Sequence, residues 1–544
     1  MNVSQQTTVA RGGLDPKYRV LITVMIGVFM IILDSTIINI AFPTLRQEFS
    51  ASLTDGQWVI SVYVLALGIT TPVAGFLADR FGIKFIYLLG LALFTIGSLL
   101  CGFAQTLPLI IVFRALQGLG GGLATPLGAA QLYRAFPPKE QGTAFGIFGL
   151  ALVVAPALGP ILGGWLVDIG LWRAIFFVNV PIGITAVLLG SRFLLDYRTG
   201  LRPPFDPLGL ITATIGFGAV LYSATTAEIG GWTSPLTLIT MTIGVLGLAA
   251  WVVVELFVAK EPMLNLRLFA NRTYTNATLV GYVATVALFG AEFLMPIYLQ
   301  SFRGRTALEA GLILLGVAAT SAFATPLAGW LFDRIGPRPI VVTGFALLCV
   351  NTWQLSQLQA DTPILNIILI LTVRGLAVGL TLQTTFTTAL GSVPLNDLPR
   401  GSSLLNSTRF VVQAVAVAAL AVVLTSTLSP EIKALEDQAQ ANPVPASVRF
   451  GACETPGVAA SDNLPPGTGV QLAALSPAGA AAAKTKILAS LQLVCSQSMA
   501  GFESAYRLTF FASIGALLLA LFLPGWPAKW RGRASMQGPV AGGH

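Results

Sequence analysis

The sequence predicts an all-helical integral membrane protein: fourteen transmembrane helices, arranged as two six-helix bundles with two further helices inserted between them. Three observations predict it. Of the 544 residues, 55% are hydrophobic and only 10% are charged, with a mean hydropathy of +0.79, whereas soluble domains carry about 25% charged residues. Apolar runs of about 20 residues, enough at 1.5 Å per residue to cross a roughly 30 Å hydrocarbon core, recur fourteen times. Finally, the chain repeats itself. GFLADRFGIK at 75–84 returns as GWLFDRIGPR at 329–338, an offset of 254 residues, and FRALQGLGGG at 113–122 is echoed by VRGLAVGL at 373–380, an offset of 260 between Arg114 and Arg374. Nearly equal offsets indicate duplicated halves, a pattern that places a binding site at the repeat interface near midplane.

The runs are 19–43, 58–77, 84–104, 108–129, 143–167, 174–195, 208–227, 235–258, 274–299, 308–331, 340–359, 364–390, 402–427 and 505–526. An even number puts both termini on one side. With that side cytoplasmic, inner segments hold nineteen Lys and Arg, against Arg46, Arg173, Arg303 and Arg305 in the short outer loops. This bias accounts for the net charge of +8 without an anionic partner. No basic run or zinc-ligand spacing supports nucleic-acid binding. The organisation that follows is a cytoplasmic tail at 1–18, a first bundle at 19–195, the inserted pair with its linkers at 196–273, a second bundle at 274–526, and a cytoplasmic tail at 527–544. The first run lacks a short h-region and a small-residue cleavage site, so it is expected to stay as the first span.

Composition also excludes chemistry. The one His is His544, which leaves no imidazole base or His-ligated metal inside the fold. No GxxxxGK[ST] loop is present, so no ATP is implied. No metal and no cofactor are expected, and the chain is not read as an enzyme. The four Cys form no CxxC pair: Cys101 and Cys349 lie in apolar spans as small packing residues, while Cys453 and Cys495 fall in the hydrophilic segment 428–504. That segment reads as an extracytoplasmic helical hairpin between helices 13 and 14, on the side where disulfides persist, and a Cys453–Cys495 bridge is expected there.

Asp34 lies inside the first span. An ionisable group at that depth costs several kcal/mol unless it faces water, a partner charge or a proton, so it marks a functional site by default. The alternative is a structural acid tied to a neighbouring helix. Depth arithmetic puts Asp34 roughly 22 Å and Arg114 roughly 21 Å from the cytoplasmic edge, so the two can share a level; if they also share a cavity, the arginine stabilises the ionised acid and a proton or cationic substrate competes for it. Glu292, in the ninth span, is either a second proton or cation site or a water-exposed rim residue; Arg374 is either the counterpart of Arg114 or a packing residue. Glu255 is expected to snorkel or pair with Lys260 at the end of the eighth span.

In the 75–84 loop, Gly75 and Gly82 permit close packing and a tight turn, Asp79 is placed to cap or pair with a neighbouring helix, and Arg80 and Lys84 can hold carboxylates or lipid phosphates. Asp333 and Arg334 repeat the pair in the second half. In the fifth span Pro156, Gly159, Pro160, Gly163 and Gly164 predict a bent helix that a neighbour approaches closely, at the boundary between halves.

GFLADRFGIK, together with Arg114, Gln117 and Gly118, resembles the signature loop and fourth-helix pattern of the major facilitator superfamily. ALVVAPALGPILGG at 151–164 is similar to the fifth-helix motif of its antiporters, and LDSTIINIAFP at 33–43 and WRAIFFVNVPIG at 172–183 resemble stretches of the fourteen-span drug:proton antiporters. Ile83 departs from the basic residue usual in the loop, and the 428–504 segment exceeds many members. The resemblance implies a major facilitator fold in a bacterial cell membrane. Its implied activity is proton-coupled antiport that exports amphipathic, often cationic, drugs by alternating access, with the 75–84 loop latching one conformation. The expected partners are small amphipathic molecules, protons and membrane lipids; whether an envelope adaptor meets the hairpin stays open. The alternatives are an exporter of an endogenous lipid, peptide or siderophore, and a membrane enzyme or receptor using the hairpin.

Overall fold

The computed structural model describes residues 14–197, 206–259, 262–305, 307–427 and 477–526, together with 528, 530, 532 and 536. Among these residues the secondary structure is helical throughout. The first six helices are α1 (Pro16–Glu48), α2 (Leu53–Phe81), α3 (Ile83–Phe103), α4 (Leu107–Ala135), α5 (Gln141–Asp168) and α6 (Ala174–Phe193). Then come α7 (Pro207–Gly230) and α8 (Pro235–Val253), and finally α9 (Arg272–Ile297), α10 (Ala307–Ile335), α11 (Pro337–Ser356), α12 (Ile364–Gly391), α13 (Leu398–Ser426) and α14 (Pro477–Ala520). Among the described residues, twelve helices are long and apolar enough to cross a membrane. Of the other two expected spans, 274–299 forms α9 as far as Ile297 and runs on into a π-helical turn at Tyr298–Phe302, and 505–526 is helical as far as Ala520 in α14.

Packing follows the repeat. In the first half α2 packs on α4, α3 on α4, α1 on α5 and α6, and α3 on α6; in the second half α10 packs on α12, α11 on α12, α9 on α13 and α14, and α11 on α14. The inserted pair stands apart from this scheme. α7 lies against α2 and α13, and α8 packs on α7. Their seam is built on glycine: a Cβ on Gly216 would sit 2.7 Å from the Leu248 amide, and one on Gly244 2.7 Å from the Val220 amide.

Two expectations are corrected by the described residues. The last span, expected to begin at 505, instead continues a helix that starts at Pro477 inside the segment read as a hairpin, because no proline interrupts the chain between Pro477 and Ala520. Its 44 residues extend about 66 Å at 1.5 Å each, roughly twice the hydrocarbon core, so one end projects. Residues 428–476, including Cys453, lie outside the described residues. Cys495 is disulfide-bonded, whereas Cys101 and Cys349 are free thiols. Glu255, expected to snorkel, is instead 2% exposed. A π-helical turn over Val254–Val258 rotates it inward, where its Oε1 accepts from Trp251 Nε1 at 3.0 Å and from the Leu264 amide at 3.3 Å. Lys260 lies outside the described residues.

Candidate functional site

The first half closes around Asp34. It sits midway along α1 and is 1% exposed, while Arg114 on α4 is fully buried. Arg114 Nη1 donates to Asp34 Oδ2 at 2.5 Å and to Gln117 Oε1 at 2.9 Å, and its Nε donates to the Val59 carbonyl at 3.1 Å. Asp34 Oδ1 accepts from Gln117 Nε2 at 2.7 Å and from Asn179 Nδ2 at 2.8 Å. Two side-chain amides and a guanidinium thus occupy the oxygens of the buried carboxylate.

Local sequence explains how these groups meet. Arg114 and Gln117 are three apart, so they share one face of α4. The face next to it is glycine, which brings α4 against its neighbours: a Cβ on Gly118 would run into the Tyr63 carbonyl, and one on Gly120 into the Phe94 amide. Val178 separates the turn Ala174–Phe177 from the helix Asn179–Phe193 within α6, and this places Asn179 at the start of the second piece. Asn179 Nδ2 also lies 3.1 Å from Ser98 Oγ, which donates to the Phe176 carbonyl at 2.8 Å. The Tyr63 ring covers the Arg114 guanidinium at 4.2 Å from its centroid, a cation–π contact strengthened by desolvation. Five helices thus converge on one carboxylate.

The sequence reading expected Asp34 and Arg114 to share a level and a cavity. They share the level, but the space beside Asp34 is filled by Gln117, Asn179 and Tyr63. A closed polar network takes its place: Arg114, Gln117 and Asn179 bond the carboxylate, and the Tyr63 ring covers the guanidinium. Tyr63, Ser98 and Asn179 went unread as site residues; the quoted stretch WRAIFFVNVPIG contained Asn179 without revealing where it points. Glu292 lies on α9, and its side chain falls outside the described residues. In the second half Arg374, 1% exposed, donates to Asn351 Oδ1 at 3.1 Å and to the Ala287 carbonyl.

The two bundles meet at the end that carries the repeated loop. Asp79 Oδ2 accepts from Arg400 Nε at 2.6 Å, both side chains being under 10% exposed, and Arg400 Nη1 reaches the Pro262 carbonyl at 3.2 Å. Gly75 lets α2 approach this point, since a Cβ there would lie 2.8 Å from Arg400 Cα. Gly82 ends α2 at φ +100°, a region open to glycine. Arg80 is exposed, and Lys84 Nζ donates to the Ser191 carbonyl at 2.8 Å. On the other side, Asp333 accepts from the Gly142 and Thr143 amides and the Thr143 hydroxyl, each at 2.7 Å. It caps α5 across the bundle boundary. Arg334 stacks on Trp330 at 3.8 Å.

α5 corrects one further expectation. Gly159 and Gly163 do permit a close approach, but to α1 in their own bundle, where a Cβ on Gly163 would meet Ile37 at 2.9 Å. Gly164 meets nothing within 4 Å. The boundary between halves is built one or two turns from the start of α5, where Gly142 and Gly146 face Gly329 and Thr325; a Cβ on Gly146 would lie 3.0 Å from Gly329 Cα. The prolines Pro156 and Pro160 lie in the later part of the helix, which sits in the first bundle. The signal for Gly142 and Gly146 was a small-xxx-small spacing that the cluster downstream overshadowed.

A sequence profile described as Major Facilitator Superfamily matches residues 24–417. The chain is 35% identical over 406 residues to the uncharacterized MFS-type transporter YhcA of Bacillus subtilis (strain 168), covering 75% of this chain and 76% of the relative. It is 32% identical over 397 residues to a multidrug resistance protein B homolog of Mycobacterium tuberculosis (strain ATCC 25618 / H37Rv), covering 72% and 73%. Its fold is similar to that of the proton:xylose symporter XylE bound to 6-bromo-6-deoxy-D-glucose, with a TM-score of 0.53 at 15% identity over 74% of this chain and 87% of the other.

Proposed function

Because the chain belongs to the major facilitator superfamily, whose members are membrane transporters and not enzymes, we propose that it is a proton-coupled antiporter exporting amphipathic, often cationic, compounds by alternating access. In this reading fourteen helices span a bacterial cell membrane and both termini are cytoplasmic. The excess of Lys and Arg in the segments next to Asp79 and Asp333 supports that orientation. It makes the joined end of the bundles the cytoplasmic end, closed in the described state.

The observation that carries the proposal is the buried pair of Asp34 and Arg114, with Gln117 and Asn179 completing it. A membrane interior tolerates such a pair only at a price in desolvation, which makes it a place where one proton has a large effect. A proton on Asp34 removes the charge that Arg114 answers. Losing one partner of a buried ion pair costs about 3–5 kcal/mol, close to the roughly 5.5 kcal/mol that inverts a 1:99 equilibrium between two conformations. Asp34 is therefore assigned to coupling through the packing of α1, α4 and α6. Direct competition of proton and cargo for its carboxylate requires an opening that the described network fills.

Loss of the carboxylate tests this. Cells producing the Asp34→Asn protein are expected to accumulate rhodamine 123 to the level of cells lacking the transporter. A variant present at the wild-type amount in the membrane that still excludes the dye overturns the assignment.

A further inference from the structure

The Asp79–Arg400 ion pair joins α2 of the first bundle to α13 of the second, and these two helices have to part if the joined end is to open. The inserted pair stands on that seam. α7 packs against both helices, one from each bundle. Glycine makes its contact with α2 close: a Cβ on Gly218 would lie 3.1 Å from Ile69 Cδ1, and one on Gly68 would run into Leu221.

α8 reaches the same seam through one side chain. Glu255, 2% exposed, sits in the π-helical turn Val254–Val258, an uncommon feature that tends to mark functional positions. It accepts from the indole of Trp251, whose ring packs on Phe217 of α7 at 5.4 Å between centroids. It also accepts from the Leu264 amide. Two residues earlier the same stretch of chain meets the latch, because the Pro262 carbonyl accepts from Arg400 Nη1 at 3.2 Å while Arg400 Nε holds Asp79 at 2.6 Å. Met263 and Leu264 are buried in one apolar cluster with Phe217, Trp251 and Leu398. Residues 262–264 are thus pinned from both sides, by the inserted pair and by the guanidinium of the latch.

We propose that the inserted pair is a brace on the Asp79–Arg400 latch, with Glu255 as the positioning residue that fixes 262–264 so that the Pro262 carbonyl keeps Arg400 turned toward Asp79. An acid is costly to bury, and what this one achieves is to hold the backbone that answers Arg400. Both donors go to Oε1, and Oε2 has no hydrogen-bond partner. A side-chain amide can therefore replace the carboxylate here, whereas a methyl group cannot. In the transport reading the braced step is the opening that admits cargo from the cytoplasm, and the brace rests on that reading only for what the opening serves.

Hydrogen exchange of the full-length protein in nanodiscs tests the brace. Glu255→Ala leaves the Leu264 amide without its acceptor and should raise exchange at 75–81, on the far side of the latch, about tenfold. Exchange at 142–146, at the other latch, should stay within about twofold of wild type. Glu255→Gln keeps an oxygen for both donors and should hold 75–81 within about threefold of wild type, while Trp251→Phe, which removes one donor and keeps an aromatic ring, should raise it about threefold. In protein already carrying Arg400→Ala, Glu255→Ala should add less than about twofold at 75–81, since the link it acts through is gone. Unchanged exchange at 75–81 in both Glu255→Ala and Trp251→Phe overturns the proposal. So does an equal rise at both latches, or an effect that adds in full to that of Arg400→Ala. Exchange is read with neither cargo nor a pH gradient, so failure of proton-driven flux would sink the antiport reading and leave the brace standing.

Discussion

At the end of α2 and again at the end of α10 the chain places the same residues 254 positions apart, and the two cations answer alike while the two acids do not. Lys84 Nζ reaches the Ser191 carbonyl at the end of α6, and Arg338 Nε reaches the Leu523 carbonyl just beyond α14. Each cation ties the loop to the last helix of its own bundle. Gly82 at φ +100° and Gly336 at φ +83° make the same turn. The acids, by contrast, cross to the other bundle and find different partners: Asp79 meets the guanidinium of Arg400, and Asp333 meets the amides at the start of α5. The lesson is that duplication fixes where a group stands, while the facing helix decides its chemistry. One latch is a buried ion pair, whose rupture leaves a stranded charge; the other is a helix cap, which water can replace.

This contrast can be broken in order of size. Arg400→Ala strands the Asp79 carboxylate, at about 3–5 kcal/mol. Hydrogen exchange at 75–81 and 398–402 should rise by at least about a hundredfold, and an unchanged rate would mean the ion pair adds nothing to closure. Asp333→Ala removes a cap worth about 0.5–2 kcal/mol, so exchange at 142–146 should rise only about 3- to 30-fold, while 398–402 stays as it was. An equal effect at both latches would erase the distinction. The smallest effect sharpens the reading of α5. Gly164→Ala, with nothing within 4 Å, should hold or slightly raise the unfolding midpoint, since alanine favours a helix by about 0.5–1 kcal/mol. Gly163→Ala, 2.9 Å from Ile37, should lower it.

How much of this was legible in the sequence follows from which features are local. Helix positions were readable because a membrane demands length and apolarity, and those are properties of consecutive residues. The repeated loop was readable because glycine and charge at fixed spacing have a meaning before any partner is known. Asp34 and Arg114 could be matched in depth, since rise per residue is fixed. What fills the space around them could not: Tyr63, Ser98 and Asn179 come from three other helices, and their approach depends on tertiary packing and on the break at Val178. Gly142 and Gly146 were passed over for the denser cluster downstream. The joined helix α14 was hidden by polar side chains, which mask a span without breaking a helix.

A proton on Asp34 is proposed to drive cargo across the membrane. Purified protein in liposomes with an imposed pH gradient and rhodamine 123 as cargo tests it most directly. Wild type is expected to move the dye against its concentration gradient, and Asp34→Asn to lose the gradient-driven part altogether. Dye movement by Asp34→Asn that still responds to the pH gradient at the wild-type rate would contradict the claim.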